Sequence, residues 1–178
     1  MIITISGKPG SGKSAVAKLL AKKLGLKHYS TGDFMRQMAE ERKISLLELS
    51  KIAETDRSID EELDQWQIDI GKHEDNFVID ARLGFHFIPH SIKIYLTAQL
   101  NTRASRILSD RIRNEKNINL EKTVDNIKKR ENSEKKRYRE YYKLDPNNEE
   151  QYDLVVDTTQ ITPEQAVEEI IGFLKRKI

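Results

Sequence analysis

Short runs of β-branched and aromatic residues alternate along the chain with longer segments whose apolar residues recur at helical spacing. Five runs read as strands, at 2–6, 27–30, 77–80, 92–96 and 153–157. Val16, Leu19, Leu20 and Leu24 form one helical face, which Gly25 ends, and a further helix is expected over 33–42. Ser45 with Glu48, and Ser58 with Glu61, spell capping boxes that open two more helices. Ile59, Leu63, Trp66 and Ile70 share one face of the second. Long, very polar helical stretches follow at 101–114 and 120–142. The last helix has Thr162 as N-cap, Pro163 in its first position and Gln165 completing a box. Its apolar face is Ala166, Val167, Ile170, Ile171 and Leu174. Strands alternating with helices imply a parallel sheet covered by helices, and no linker or repeat divides it. A single α/β domain over 1–178 is expected.

The chain has 178 residues, enough for one core, with 37% hydrophobic and 34% charged residues, as suits a soluble globular protein. It has no cysteine, which excludes disulfides and thiolate metal sites but not metals held by oxygen. The apolar run at 1–5 is too short for a signal peptide, and nothing approaches the roughly 20 apolar residues of a membrane span. A cytoplasmic monomer without membrane contact is expected. Net charge is +2, yet residues 100–143 hold 14 Lys and Arg against 7 Asp and Glu. That excess of positive charge suggests a meeting with anions.

Gly7-Lys8-Pro9-Gly10-Ser11-Gly12-Lys13-Ser14 matches the phosphate-binding loop G-x-x-x-x-G-K-[ST], placed between a strand and a helix. Glycines let backbone N–H groups approach phosphate oxygens, and the helix that follows turns its positive end to the same anion. Gly7, Gly10, Ser11, Gly12, Lys13 and Ser14 are therefore expected to hold a nucleotide, with ATP and Mg²⁺ as cofactors. Lys13 would reach the β- and γ-phosphates, and Ser14 the metal. Asp80 ends a buried strand where such proteins keep a metal-ordering acid, a role favoured here over that of a helix cap or surface acid.

Transfer between phosphates calls for several arginines converging on spreading negative charge. Candidates are Arg36, Arg82, Arg103, Arg106, Arg111, Arg113, Arg130, Arg137 and Arg139. Arg130, Glu134 and Arg137 fall on one helical face, so Glu134 either orients two arginines or belongs to a surface ion-pair ladder.

The chain resembles the nucleoside monophosphate kinases, in particular the short, archaeal-type cytidylate kinases, over nearly its whole length. The residues that carry this are 7–14, Ser30-Thr31-Gly32-Asp33-Phe34-Met35-Arg36, Ile59-Asp60 with Asp64 and Gln67, and Asp80-Ala81-Arg82-Leu83. Tyr95-Leu96-Thr97-Ala98, 130–138, Tyr141-Tyr142 with Asp145, and 152–158 complete the pattern. The resemblance implies a P-loop NTPase fold: a five-stranded parallel sheet flanked by helices, a helical monophosphate-binding arm at about 31–72 and a basic lid at about 106–122. It implies phosphorylation of CMP or dCMP. Arg36 and Arg82 would hold the acceptor phosphate, and Ser30, Asp64 and Gln67 its sugar or base. Glu134 joins these substrate-binding residues, and Lys13, Arg106, Arg111, Arg130 and Arg137 make up the catalytic set. Ala81 and Lys143 stand where the family commonly has glycine, and Thr31-Gly32-Asp33 is closer to the adenylate kinase wording.

Other readings compete with this one. A kinase of AMP, UMP or a non-nucleotide alcohol would keep the chemistry and change the acceptor. A GTPase switch would need an Asn-Lys-x-Asp loop, but Leu96-Thr97-Ala98-Gln99 stands at the corresponding strand end. An RNA-binding protein using the basic stretch with Tyr138, Tyr141 and Tyr142 is the remote alternative.

Overall fold

A computed structural model describes residues 1–110 and 119–177. Its elements run β1 (Ile2–Gly7), α1 (Lys13–Leu24), β2 (Lys27–Ser30), α2 (Thr31–Glu41), α3 (Leu46–Ala53), α4 (Ser58–His73), β3 (Phe77–Asp80) and α5 (Gly84–Phe87). After these come β4 (Ile92–Thr97), α6 (Leu100–Ser109), α7 (Leu120–Tyr142), a 3₁₀ turn (Glu149–Gln151), β5 (Leu154–Asp157) and α8 (Pro163–Lys177). The strands form one parallel sheet in the order β2-β3-β1-β4-β5. The chain leaves the central β1 first toward β3 and then toward β4, so a crevice opens at the carboxyl ends of these strands.

β1 is buried along its whole length, and its side chains divide between two layers. Ile3 and Ile5 join Val78, Ile94, Leu96 and Val156 beneath α1 (Val16, Ala17, Leu20, Ala21) and α8 (Ala166, Val167, Ile170, Leu174). On the opposite face Ile2, Phe77 and Ile79 pack with Ile88 and with Trp66 and Ile70 of α4. Helices α2, α3 and α4 add a cluster of their own from Met38, Ala39, Leu49, Ala53 and Ile59. It places a small helical layer beside the crevice.

The caps largely follow the sequence. Ser45 and Glu48 form both bonds of a capping box, and so do Thr162 and Gln165. The box expected at Ser58 and Glu61 is absent. Arg57 already has helical dihedrals, which puts Ser58 inside α4, and Asp56 Oδ1 accepts the Ser58 N–H instead at 2.9 Å. The helix expected over 101–114 runs Leu100–Ser109, and 111–114 lie outside the described residues. Lys143 closes α7 in the left-handed conformation (φ 57°) that glycine usually fills. Among the described residues no helix is long and apolar enough to cross a membrane.

Candidate active site

Between β1 and α1 the chain is wedged tightly. A Cβ on Gly7 would lie 2.2 Å from the Leu96 carbonyl oxygen, and one on Gly10 would lie 2.6 Å from that of Arg103, so only glycine fits against β4 and α6. Gly12 is the N-cap of α1 and brings no side chain to occupy the first-turn N–H groups. The loop's carbonyls, by contrast, are tied from behind. Lys8 O accepts from Ser11 N at 3.1 Å and from Lys13 Nζ at 3.2 Å. Pro9 O accepts from Arg103 Nη1 at 3.2 Å, and Ser11 O from Thr158 Oγ1 at 2.9 Å. In a trans peptide the N–H points opposite to the carbonyl. Fixing the Pro9 and Ser11 oxygens on one side therefore turns the Gly10 and Gly12 N–H groups to the other, an arrangement suited to an anion.

Two arginines build that anchorage. Arg103 is buried on α6 and also donates to Ala98 O at 3.0 Å and to Glu131 of α7 at 2.7 Å. Arg106, one turn on, donates through Nη1 to Thr158 Oγ1 at 3.0 Å, so its fork lies against the strand end behind the loop.

Asp80 is buried at the end of β3 and accepts a 2.8 Å hydrogen bond from Ser30 Oγ; its Oδ2 faces His28 Nε2 at 3.4 Å but has no hydrogen bond. Burial alone would raise its pKa, but the contacts with His28 and Ser30 and the charges of His28 and Lys13 outweigh it and hold the carboxyl below its ordinary value. The Ser30 hydroxyl thus serves Asp80 and, as N-cap of α2, the Asp33 N–H. Lys13 has its pKa driven well down by burial and by the charges of Arg82 and Arg130, despite Asp80 and Glu134. An anionic ligand is what would favour its charged form again.

Glu134 gathers two arginines, as the helical spacing allowed, but the pair differs from the one expected. Its Oε1 holds Arg130 Nε at 2.9 Å, and its Oε2 holds Arg82 Nη2 at 2.7 Å. Arg82 Nη1 also donates to Gly7 O at 2.8 Å, which pins this guanidinium to the loop. Burial opposes ionisation of Glu134, and the Arg82 and Arg130 charges overcome it, holding its pKa below the ordinary value. Arg137 turns away toward α4, with Nε 3.4 Å from Asp60 Oδ2. Asp64 and Gln67 lie further along α4, where Tyr142 donates to Asp64 Oδ2. Arg36, on α2, is exposed and paired with Asp33.

Lys13, Arg82, Arg130, Glu134 and Asp80 are therefore brought to one end of the sheet beside the loop, with Ser14 at the start of α1. Arg36, Asp64 and Gln67 lie on the helical layer next to it. Arg111 lies outside the described residues, as do positions 111–118 of the lid expected at about 106–122. Sequence reasoning gave no site role to Thr158 or His28, and Tyr142 entered only as a base-stacking ring in the RNA-binding alternative. Thr158 follows the last strand, and its place at a carboxyl end was the one signal available.

Residues 2–160 match the family model described as the cytidylate kinase-like family. A cytidylate kinase of Methanobrevibacter smithii is 38% identical over 175 residues, covering 98% of this chain and 99% of that protein. One of Natronomonas pharaonis is 43% identical over 166 residues, covering 92% and 84%. Among solved structures, a shikimate kinase from Bacteroides thetaiotaomicron superposes with a TM-score of 0.71 and 14% identity over 98% of both chains, a likeness of fold.

Proposed function

This chain belongs to the cytidylate kinase-like family, and we propose that it transfers the γ-phosphoryl group of ATP to CMP or dCMP, releasing ADP and the diphosphate. The observation that carries this reading is the Arg82–Glu134–Arg130 cluster beside Lys13 and the loop. One loop serves one polyphosphate; further guanidinium groups beside it serve a second anion. The N–H groups of the loop and Lys13 hold the donor. Arg36 and Arg82 hold the acceptor phosphate, and an acceptor oxygen attacks the γ-phosphorus as the ADP oxygen leaves. Arg130 attends the charge that spreads over the migrating group, while Arg137, expected to share that task, faces Asp60 of α4. Arg106 acts on the same chemistry through Thr158, which steadies the loop. Residues 31–72 form the acceptor-binding arm.

Asp80 Oδ2 is a buried carboxylate oxygen without a hydrogen bond, and the Ser14 hydroxyl stands at the start of α1. Hard oxygen donors of this kind, one or two in number, suit Mg²⁺, which keeps most of its waters. When bound, the ion would neutralise phosphate charge; Asp80 and Ser14 would hold it. Coupled assays with CMP, dCMP, UMP, AMP and shikimate test the reading. CMP and dCMP should give the highest kcat/KM, and preference for shikimate or absence of transfer to CMP overturns it.

A further inference from the structure

Helix α7 grips the phosphate loop twice, each time through an arginine that another element supplies. Glu134 Oε2 holds Arg82 Nη2 at 2.7 Å, while Arg82 Nη1 donates to Gly7 O at 2.8 Å. One turn earlier, Glu131 Oε1 holds Arg103 Nη1 at 2.7 Å, and the same nitrogen donates to Pro9 O at 3.2 Å. Glu131 and Glu134 are neighbours at i and i+3, so both project from one side of α7. Arg103 is only 4% exposed, and among the described residues Glu131 is the carboxylate that pairs with it. A guanidinium buried in this way is costly to leave without a counter-charge, and its donors form a rigid fork. Arg103 Nε is anchored on Ala98 O at 3.0 Å, so the direction of Nη1 is set by where Glu131 holds it.

We propose that Glu131 is a positioning residue for phosphoryl transfer: through Arg103 it holds the Pro9 carbonyl behind the loop and so aims the Gly10 N–H at the donor phosphates. The inference rests on the reading of the loop as the donor site of a kinase. The Pro9–Gly10 peptide is planar, so its oxygen and its N–H turn together. A carbonyl that swings away from Arg103 takes the N–H off the anion, and hydrogen bonds weaken steeply with misalignment. Gly10 adds no side chain to correct this. It has φ 78° and lies directly on Arg103, where a Cβ would meet the Arg103 carbonyl oxygen at 2.6 Å and its Cβ at 3.0 Å. Glu131 needs no contact with a nucleotide to act in this way. Its reach also differs from that of Glu134, whose two arginines serve the acceptor side, so losing Glu131 is felt by the donor.

The test is calorimetric titration of an unhydrolysable ATP analogue with Mg²⁺, and separately of CMP. The proteins are the wild type, Glu131→Ala, Glu131→Gln, Arg103→Met and the double variant Arg103→Met with Glu131→Ala. Glu131→Ala should weaken the analogue by roughly three- to thirtyfold and leave CMP unchanged. The KM values for ATP and CMP should split in the same way. Glu131→Gln keeps an acceptor oxygen at the same reach and should recover part of the loss. Once Arg103 is gone Glu131 has nothing to act through, so the double variant should bind the analogue as Arg103→Met does. Unchanged analogue affinity in Glu131→Ala overturns the inference. So does an equal loss for CMP, which marks a general loosening of the fold, or a further loss in the double variant, which marks another route. If Glu131→Ala does not fold, Glu131→Gln decides: weaker analogue binding with CMP unchanged supports the inference, and any other result overturns it. Absence of transfer to CMP in the wild type would end the proposed function, while the analogue titrations would still judge Glu131.

Discussion

Arg82 and Glu134 meet at 2.7 Å, one just past the end of β3 and the other in the middle of α7, with the Arg82 fork also bonded to the Gly7 carbonyl. Two remote segments and the phosphate loop are thereby locked into one arrangement, with Arg130 held on the second oxygen of Glu134.

Arg82→Met should raise the KM for CMP far more than that for ATP. A charge-assisted contact to phosphate contributes about 1.5–3 kcal/mol, so the rise should be about ten- to a hundredfold. Steady-state kinetics with each substrate varied in turn reads this directly. Equal changes in both KM values would move Arg82 out of the acceptor site.

Lys13→Ala should lower kcat by about a hundredfold or more, with a smaller effect on ATP affinity, since its charge counts most as phosphoryl oxygens gain charge. The fold should survive, because the substitution removes an ammonium that burial and two arginines already disfavour. Circular dichroism checks the fold and a coupled assay the rate. Near-normal kcat would show that Lys13 has no part in catalysis.

Asp64 gives a pH-dependent prediction. Burial, with help from Asp60, raises its pKa from 3.8 to about 6, against the hydrogen bond from Tyr142 and the charges of Arg57 and Arg137. The folded state therefore binds this proton more tightly than the unfolded chain does. The stability it brings is complete below about pH 4 and is lost as pH rises through about 6. Asp64→Asn should melt higher than the wild type near neutral pH, by about 2–4 °C for each kcal/mol, and the difference should close on acidification. Thermal denaturation at both pH values measures it, and a constant gap would refute the assignment.

The sequence revealed the fold most clearly where structure is local. Lys27–Ser30 and Phe77–Asp80 were read to the residue, because each is a short run whose bounding signals lie within a few positions. The phosphate loop was legible for the same reason: its chemistry is contiguous. Ser58 misled because a capping box is a spacing, and the spacing does not say whether the residue before it is already helical. Glu134 showed that two arginines could converge on a helical face. Which two was decided by β3, whose end brings Arg82 closer than the helix brings Arg137. Likewise Arg103 read as one basic residue among many, while its burial between Pro9 and Glu131 depends on α6 meeting the loop.

That backing by Arg103 and Thr158 bears on the thermodynamics of substrate capture. A loop of three glycines in an unbraced turn would sample many backbone states and lose that freedom when the nucleotide arrives. Here Lys8, Pro9 and Ser11 are fixed by bonds that form on folding, so the conformational entropy of the loop is lost before any ligand is present. Donor affinity then depends less on ordering the cradle than on the phosphates themselves, and loosening Arg103 would weaken ATP without touching any group that contacts it.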